Sequence, residues 1–229
     1  MLSQQIERDG FAIVPNVLSL ESCDELLSAF AFVRDDMANR AASMRNVLQR
    51  VPHVRALCES APVLPLMQSV SGTDCFPVRA ILFDKTPNAN WKVVWHQDLT
   101  IAVREKREAE GFGPWSFKDG VTHVQPPVRV LEQMLTLRLH LDDCDENNGP
   151  LRVLRGSHQS GKLSSSEIAE WRAQQAEEVC TSPRGGALLM RPLLLHASSQ
   201  AKTPRHRRVL HLEWANGKLS DGLRWHSQK

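Results

Sequence analysis

At 229 residues and a net charge of +2, the chain has the size of one compact all-β barrel or sandwich and no basic stripe of the kind nucleic acid requires. Its five cysteines, an odd number with no C-x-x-C spacing, argue against a disulfide framework and a zinc ribbon, and a reducing cytoplasm is the expected compartment. Glu7, Arg8, Asp9 and Gly10 interrupt the start where a signal peptide needs an apolar stretch, and no run of about 18 apolar residues follows, so neither export nor membrane insertion is expected.

In chain order, the apolar stretch 11–14 is closed by Pro15, and Ser19 stands as the cap of a helix predicted to reach about residue 37. Leu20, Leu26, Leu27, Phe30 and Val33 give that helix a stripe to lay on a sheet. Two shorter helices are expected on either side of Pro62 and Pro65. From residue 78 the texture changes to short β-like runs at 78–83, 93–96, 131–141, 151–154, 187–189 and 207–214. The interval 99–130 carries several Gly and Pro residues and is too long for an ordinary connection. Trp115, Phe117, Val121, His123 and Val124 make it too apolar for simple disorder, so it is expected to be a lid over a site.

Two of the β runs have a polar face. Leu135, Leu137, Leu139 and Leu141 alternate with Thr136, Arg138, His140 and Asp142, and Arg207, Val209, His211 and Glu213 alternate with Arg208, Leu210, Leu212 and Trp214. Half-exposed strands would give this pattern; so would strands lining the polar interior of a wide barrel, and such an interior is a ligand site.

The chemistry concentrates in Trp95-His96-Gln97-Asp98. Residues two apart on a strand share a face, so His96 and Asp98 can give two ligands to one divalent metal. A second histidine would complete the 2-His-1-carboxylate face that leaves three positions open on Fe(II). His140-Leu141-Asp142 and His211-Leu212-Glu213 are competing pairs. His196, which follows Gly185-Gly186 and an apolar run, is the candidate third ligand, although a histidine there also fits a hydrogen-bonded core position. Eleven residues later Arg207 offers a rigid charged fork suited to a carboxylate, with a surface place in the basic run 205–208 as the other reading.

These segments together resemble the phytanoyl-CoA dioxygenase family of Fe(II)- and 2-oxoglutarate-dependent oxygenases. The likeness rests on Trp95-His96-Gln97-Asp98, on residues 147–158 with Asn148-Gly149-Pro150 and Gly156-Ser157-His158, on the His196-Ala197-Ser198 to Arg207 spacing, and on residues 81–87 upstream, all in family order over about 5–215. It implies a mainly β protein with flanking helices, a double-stranded β-helix of the cupin-like jelly-roll kind. One domain spans 1–229, with a helical part at about 16–72, a jelly-roll core at about 76–215 and the lid at 99–130. It implies that His96, Asp98 and His196 bind the iron, that Arg207 holds the distal carboxylate of 2-oxoglutarate with help from Ser198, and that Arg138 and Thr136 face the cosubstrate. O2 is the third reactant. The chain departs from the family in having Arg155 where many members have proline and in lacking tyrosine altogether; His158 is expected to fix a turn.

The activity implied is hydroxylation of a small polar or anionic metabolite with release of succinate and CO2, and the carboxylate of Asp98 favours hydroxylation over halogenation. Arg79, Trp95, Gln97, His123, Gln125, His140 and His211 are the residues expected to meet the substrate. No nucleic-acid or membrane partner is expected, and the protein should be a monomer or homodimer. A cupin-like isomerase or hydrolase and a non-catalytic ligand-binding jelly roll are the rival readings.

Overall fold

The computed structural model describes residues 1–35 and 43–227. Helix α1 (Leu2–Asp9) ends at Gly10, whose left-handed φ of 83° lets the chain turn directly into strand β1 (Phe11–Val14). Helix α2 (Leu20–Asp35) begins where Ser19 Oγ accepts the Ser22 N–H at 3.0 Å, the expected cap. Its expected last turn at 36–37 lies outside the described residues. Strand β2 (Ser43–Arg45) and helices α3 (Val47–Arg50), α4 (Pro52–Cys58) and α5 (Leu64–Ser71) follow, the last two opening on prolines that cost no helical hydrogen bond at the first turn.

The strands form three antiparallel sheets, and all but β1 and β2 come from residues after 75. Six strands pair in the order β1, β11 (Ala187–Met190), β8 (Leu135–His140), β13 (Arg207–Ala215), β3 (Phe76–Lys85) and β2. A second sheet orders β10 (Glu178–Cys180), β9 (Leu151–Val153), β12 (His196–Ser198) and β4 (Val93–His96). The expected run 131–141 is shorter than predicted. Residue 131 belongs to a short helix, α6 (Val128–Glu132), that starts after the Pro126-Pro127 pair, and the strand begins only at Leu135.

Period-2 alternation decides which face meets which core. On one side of the large sheet Leu82, Leu137, Leu139, Leu210, Leu212 and Trp214 pack with Ile6, Leu26, Phe30, Val54 and Met67 of the helices. The other side carries Arg79, Thr136, Arg138, His140, Arg207, His211 and Glu213 toward the second sheet. All six residues of β8 are buried, so this is a barrel interior and not a half-exposed surface.

The interval expected to be a lid folds as a small sheet of β5 (Ile101–Val103), β7 (Val121–Val124) and β6 (Trp115–Lys118). Its Ile101, Val103 and Val124 share an apolar cluster with Val78 of β3, Ala215 of β13, Leu223 and Trp225, which packs the small sheet onto the ends of those barrel strands. The tip of its hairpin is tied to β2 by an Arg45–Asp119 ion pair of 2.9 Å and by the Asn46 side-chain amide donating to the Asp119 carbonyl at 3.2 Å. A 3-10 turn (Ser157–Ser160) and helix α7 (Ser165–Gln174) join the second sheet's strands. In that turn the His158 ring bonds the Glu7 carbonyl at 3.1 Å and lies so close to Gly10 that a Cβ there would be 2.5 Å from Nδ1, the structural role expected of it.

Candidate metal centre

Strand pairing brings the distant ligands together. β12 runs antiparallel to β4 with His196 directly opposite His96, and the Asp98 N–H donates to the Pro192 carbonyl at 2.9 Å, which fixes the turn after β4 against the approach to β12. One ligand atom from each of His96, Asp98 and His196 lies within 4.8 Å of the others, the only such cluster of three among the described residues. His96 Nε2 is 3.7 Å from one carboxylate oxygen of Asp98 and His196 Nε2 is 3.7 Å from the other.

The ring protons can be placed by their partners. His96 Nδ1 lies 2.8 Å from the Val94 carbonyl and His196 Nδ1 2.9 Å from the Leu194 carbonyl. A carbonyl only accepts, so each Nδ1 carries the hydrogen and each Nε2 turns a lone pair toward Asp98 and the shared space, the tautomer a metal requires. Burial pushes His196 down to about 4, partly opposed by Asp98, which leaves its imidazole neutral at physiological pH. Burial alone would raise the Asp98 carboxyl, but the surrounding His196, His211, His96 and Arg138 together hold it below the usual range.

A cavity of about 380 Å³ opens from this triad and is also lined by Arg138, Ser198, Arg207, His211 and Glu213. Arg207 is 3% exposed; one of its terminal nitrogens donates to the Gly149 carbonyl at 2.7 Å, while its Nε is buried without a partner. Gly149 sits at φ 72°, and a Cβ there would come 2.7 Å from the Ser199 carbonyl, so this turn tolerates only glycine. Arg138, pushed down to about 10 by burial and then by Arg207, donates to His211 Nδ1 at 2.8 Å, and its Nε too has no partner. Because an arginine only donates, His211 carries its hydrogen on Nε2 and gives it to Glu213, which also accepts from Arg79 at 3.0 Å. Arg138 and Arg207 both line the cavity that holds the triad, and two guanidinium charges there suit a dicarboxylate.

The residues expected at the site divide clearly. His96, Asp98, His196, Arg207, Ser198, Arg138, Arg79 and His211 all line the cavity. Thr136 is buried opposite Glu213 with its hydroxyl unpartnered, and His140 is buried with both ring nitrogens unpartnered, but neither reaches the cavity wall. Trp95 on β4 and Gln97 just after it point away from the cavity. Trp95 packs with Leu154, Leu195 and Trp171, and Gln97 is committed to backbone, donating to Gly161 and Leu193 carbonyls and accepting from the Leu163 N–H. His123 is buried against its own hairpin, and Gln125 is also absent from the lining.

The rival metal pairs are accounted for differently. Asp142 is held by both Nε and one terminal nitrogen of Arg208 at 2.8 and 2.7 Å, and His211 and Glu213 are engaged with each other and with Arg138 and Arg79. Sequence reasoning missed Arg45, Lys118 and Thr100, which reach the cavity from β2 and from the small sheet. It also missed Lys85, buried beside Arg207. A polar residue at an inward register position of β3 was the available signal for Lys85; β2 and the small sheet gave no periodicity to read.

The family model for phytanoyl-CoA dioxygenase (PhyH) matches residues 6–209, and the chain belongs to that family. The family's enzymes use Fe(II), 2-oxoglutarate and O2. EctD from S. alaskensis, solved with 2-oxoglutarate and 5-hydroxyectoine, is similar with a TM-score of 0.72 and 18% identity over 93% of this chain and 74% of that one. The non-haem α-ketoglutarate-dependent carbocyclase SnoK from nogalamycin biosynthesis gives 0.72 and 14% over 96% and 87%, and the epimerase SnoN from the same biosynthesis 0.67 and 16% over 94% and 81%. Such likenesses establish the double-stranded β-helix. No curated protein sequence matches significantly. Among the described residues no helix is long and apolar enough to cross a membrane.

Proposed function

We propose that His96, Asp98 and His196 hold Fe(II), that Arg207 and Ser198 receive the distal carboxylate of 2-oxoglutarate, and that the enzyme hydroxylates a small polar or anionic metabolite with release of succinate and CO2. The observation that carries this reading is the convergence of two Nε2 lone pairs and one carboxylate in a cavity that Arg207 and Ser198 also line. Iron with 2-oxoglutarate and O2 supplies an oxidant able to attack a carbon–hydrogen bond, and the protein's part is to position and to exclude water. The Val94 and Leu194 carbonyls hold the two imidazoles in one tautomer, and Arg138 sits between the triad and the His211–Glu213–Arg79 network.

Hydroxylation is favoured over halogenation because Asp98 supplies the carboxylate ligand. SnoN and SnoK are described as an epimerase and a carbocyclase, so other outcomes of the same chemistry are known on this fold. The cavity supports a small polar substrate: Arg45, Arg79, Lys118 and Glu213 line it, and its volume lies at the low end for small-molecule sites. An isomerase or hydrolase has no evident use for a buried arginine in the wall of the metal cavity. The test is succinate formation from 2-oxoglutarate with added Fe(II), in air and without it, across a library of small acids and amino acids. Succinate stimulated by one compound, only in air, is the expected result; turnover of any compound without 2-oxoglutarate overturns the reading.

A further inference from the structure

Among the described lysines and arginines none is more deeply buried than Lys85, at 1% exposure, and the function proposed above does not use it. It ends β3 directly opposite Arg207 of β13, with both side chains on the inward face. Like charges paired across a sheet repel, and neither residue has an ion-pair partner among the described residues. Lys85 Nζ donates to the Ser199 carbonyl at 2.5 Å and to Ser198 Oγ at 3.2 Å, and Arg207 donates to the Gly149 carbonyl. The pair therefore faces oxygen dipoles and lacks a compensating anion.

The direction of the Lys85–Ser198 bond has a chemical consequence. An ammonium only donates, so Ser198 Oγ accepts from it and the hydroxyl's single hydrogen must point elsewhere. Ser198 and Arg207 both lie in the cavity wall. We propose that Lys85 is a positioning residue for the cosubstrate, turning Ser198 into a donor toward the cavity and adding a second positive charge beside Arg207, so that this corner accepts a carboxylate and rejects groups that must donate. The inference rests on the assignment of Arg207 and Ser198 to the distal carboxylate.

The groups around Lys85 contain no carboxylate that holds its charge. Arg207 faces it from β13, Arg138 from β8, Cys144 from the loop after β8, and the Trp91 ring lies 5.6 Å from Nζ. Asp84, next to it in β3, alternates to the opposite face and bonds His206 at 2.9 Å. Burial pushes Lys85 down to about 7, with Arg207 acting in the same direction. Without an anion a fraction of Lys85 is uncharged near neutral pH, and a carboxylate placed beside it restores the charge. Binding of 2-oxoglutarate must then take up a proton above pH 7 and little at pH 6.

The experiment is anaerobic calorimetry of 2-oxoglutarate binding to the Fe(II)-loaded protein, at pH 6 and pH 8, in buffers of different ionisation enthalpy. Wild type should take up close to one proton at pH 8 and almost none at pH 6. Lys85→Met should bind iron normally, bind 2-oxoglutarate roughly 10-fold or more weakly, and show no added uptake at pH 8. Lys85→Arg should regain affinity without proton uptake, because its charge is permanent. Wild-type uptake in Lys85→Met overturns the proposal; should that variant fail to fold, uptake persisting in Lys85→Arg does the same. If Arg207→Ala leaves 2-oxoglutarate affinity unchanged, the cosubstrate assignment itself is wrong. If Arg207→Ala weakens binding while Lys85→Met does not, only the role of Lys85 is lost.

Discussion

Each candidate ligand owes its direction to a small polar contact: a carbonyl two residues back fixes the ring hydrogen of His96 and of His196, and the lone pairs then have one place to point. His96→Ala should abolish Fe(II) binding and turnover, whereas His140→Ala should leave metal binding intact; equilibrium dialysis with Fe(II) separates the two His-x-Asp pairs. Arg207→Ala should weaken 2-oxoglutarate by about 2–5 kcal/mol, the cost of truncating one partner of a buried charge pair, measured as a shift in the binding isotherm. His140 also predicts an acid sensitivity. Burial first, and then Arg138 and Arg207, push it down to about 3, against roughly 6.5 in the unfolded chain. The unfolded state therefore binds more protons between those values, and the contribution present above pH 6.5 is lost as pH falls through the window. By pH 5 the loss is about 2 kcal/mol. Urea unfolding at pH 7 and 5 should show a loss about 2 kcal/mol smaller in His140→Leu than in wild type, the lowered His196 supplying a similar loss that remains in both.

His96 ends strand β4 and Asp98 follows in the turn, both lining the cavity, while Trp95 before them and Gln97 between them turn away from it. That alternation was legible in the sequence; what Trp95 and Gln97 would meet on the far side was not, because their partners at 154, 161–163, 171 and 193–195 come from elements that only tertiary packing brings near. Gln97 acts as a clamp between the end of β4 and the chain on either side of it. Gln97→Leu leaves buried carbonyls and an N–H without partners and should cost about 1–3 kcal/mol of unfolding free energy, measured in urea, with the substrate preference unchanged. Strands β5, β6 and β7 escaped the sequence reading for a related reason. They are three or four residues long and separated by Gly and Pro, so none is long enough to display a period, and they are held by a core shared with Leu223 and Trp225 from beyond the expected boundary.

At the scale of the whole molecule, the proposed site is assembled across the gap between two sheets, with candidate metal ligands on β4, β12 and the turn after β4, and the proposed cosubstrate corner on β3, β13 and the Gly149 turn. Binding at such a place holds the sheets together, so metal with saturating 2-oxoglutarate should stabilise the native state. At about 100 times Kd the gain is roughly 2.7 kcal/mol, or roughly 5–10 °C in Tm for a chain of this length. Differential scanning fluorimetry under argon should show this rise in wild type and lose it in His96→Ala.

The linear chain by itself determined the alternation of β8 and β13, the cap at Ser19, and the order of motifs from His96 through Gly149 and His196 to Arg207, because each depends on neighbours within a few residues or on spacing along one chain. Tertiary structure alone decided which of three histidine–carboxylate pairs is free to bind a metal. Asp142 is claimed by Arg208, His211 and Glu213 by Arg138 and Arg79, and His96 with Asp98 is left facing His196. It also decided that Lys85 lies beside Arg207. Both outcomes follow from antiparallel registers between segments a hundred or more residues apart, and registers of that kind are set by the packing of whole faces, not by local sequence.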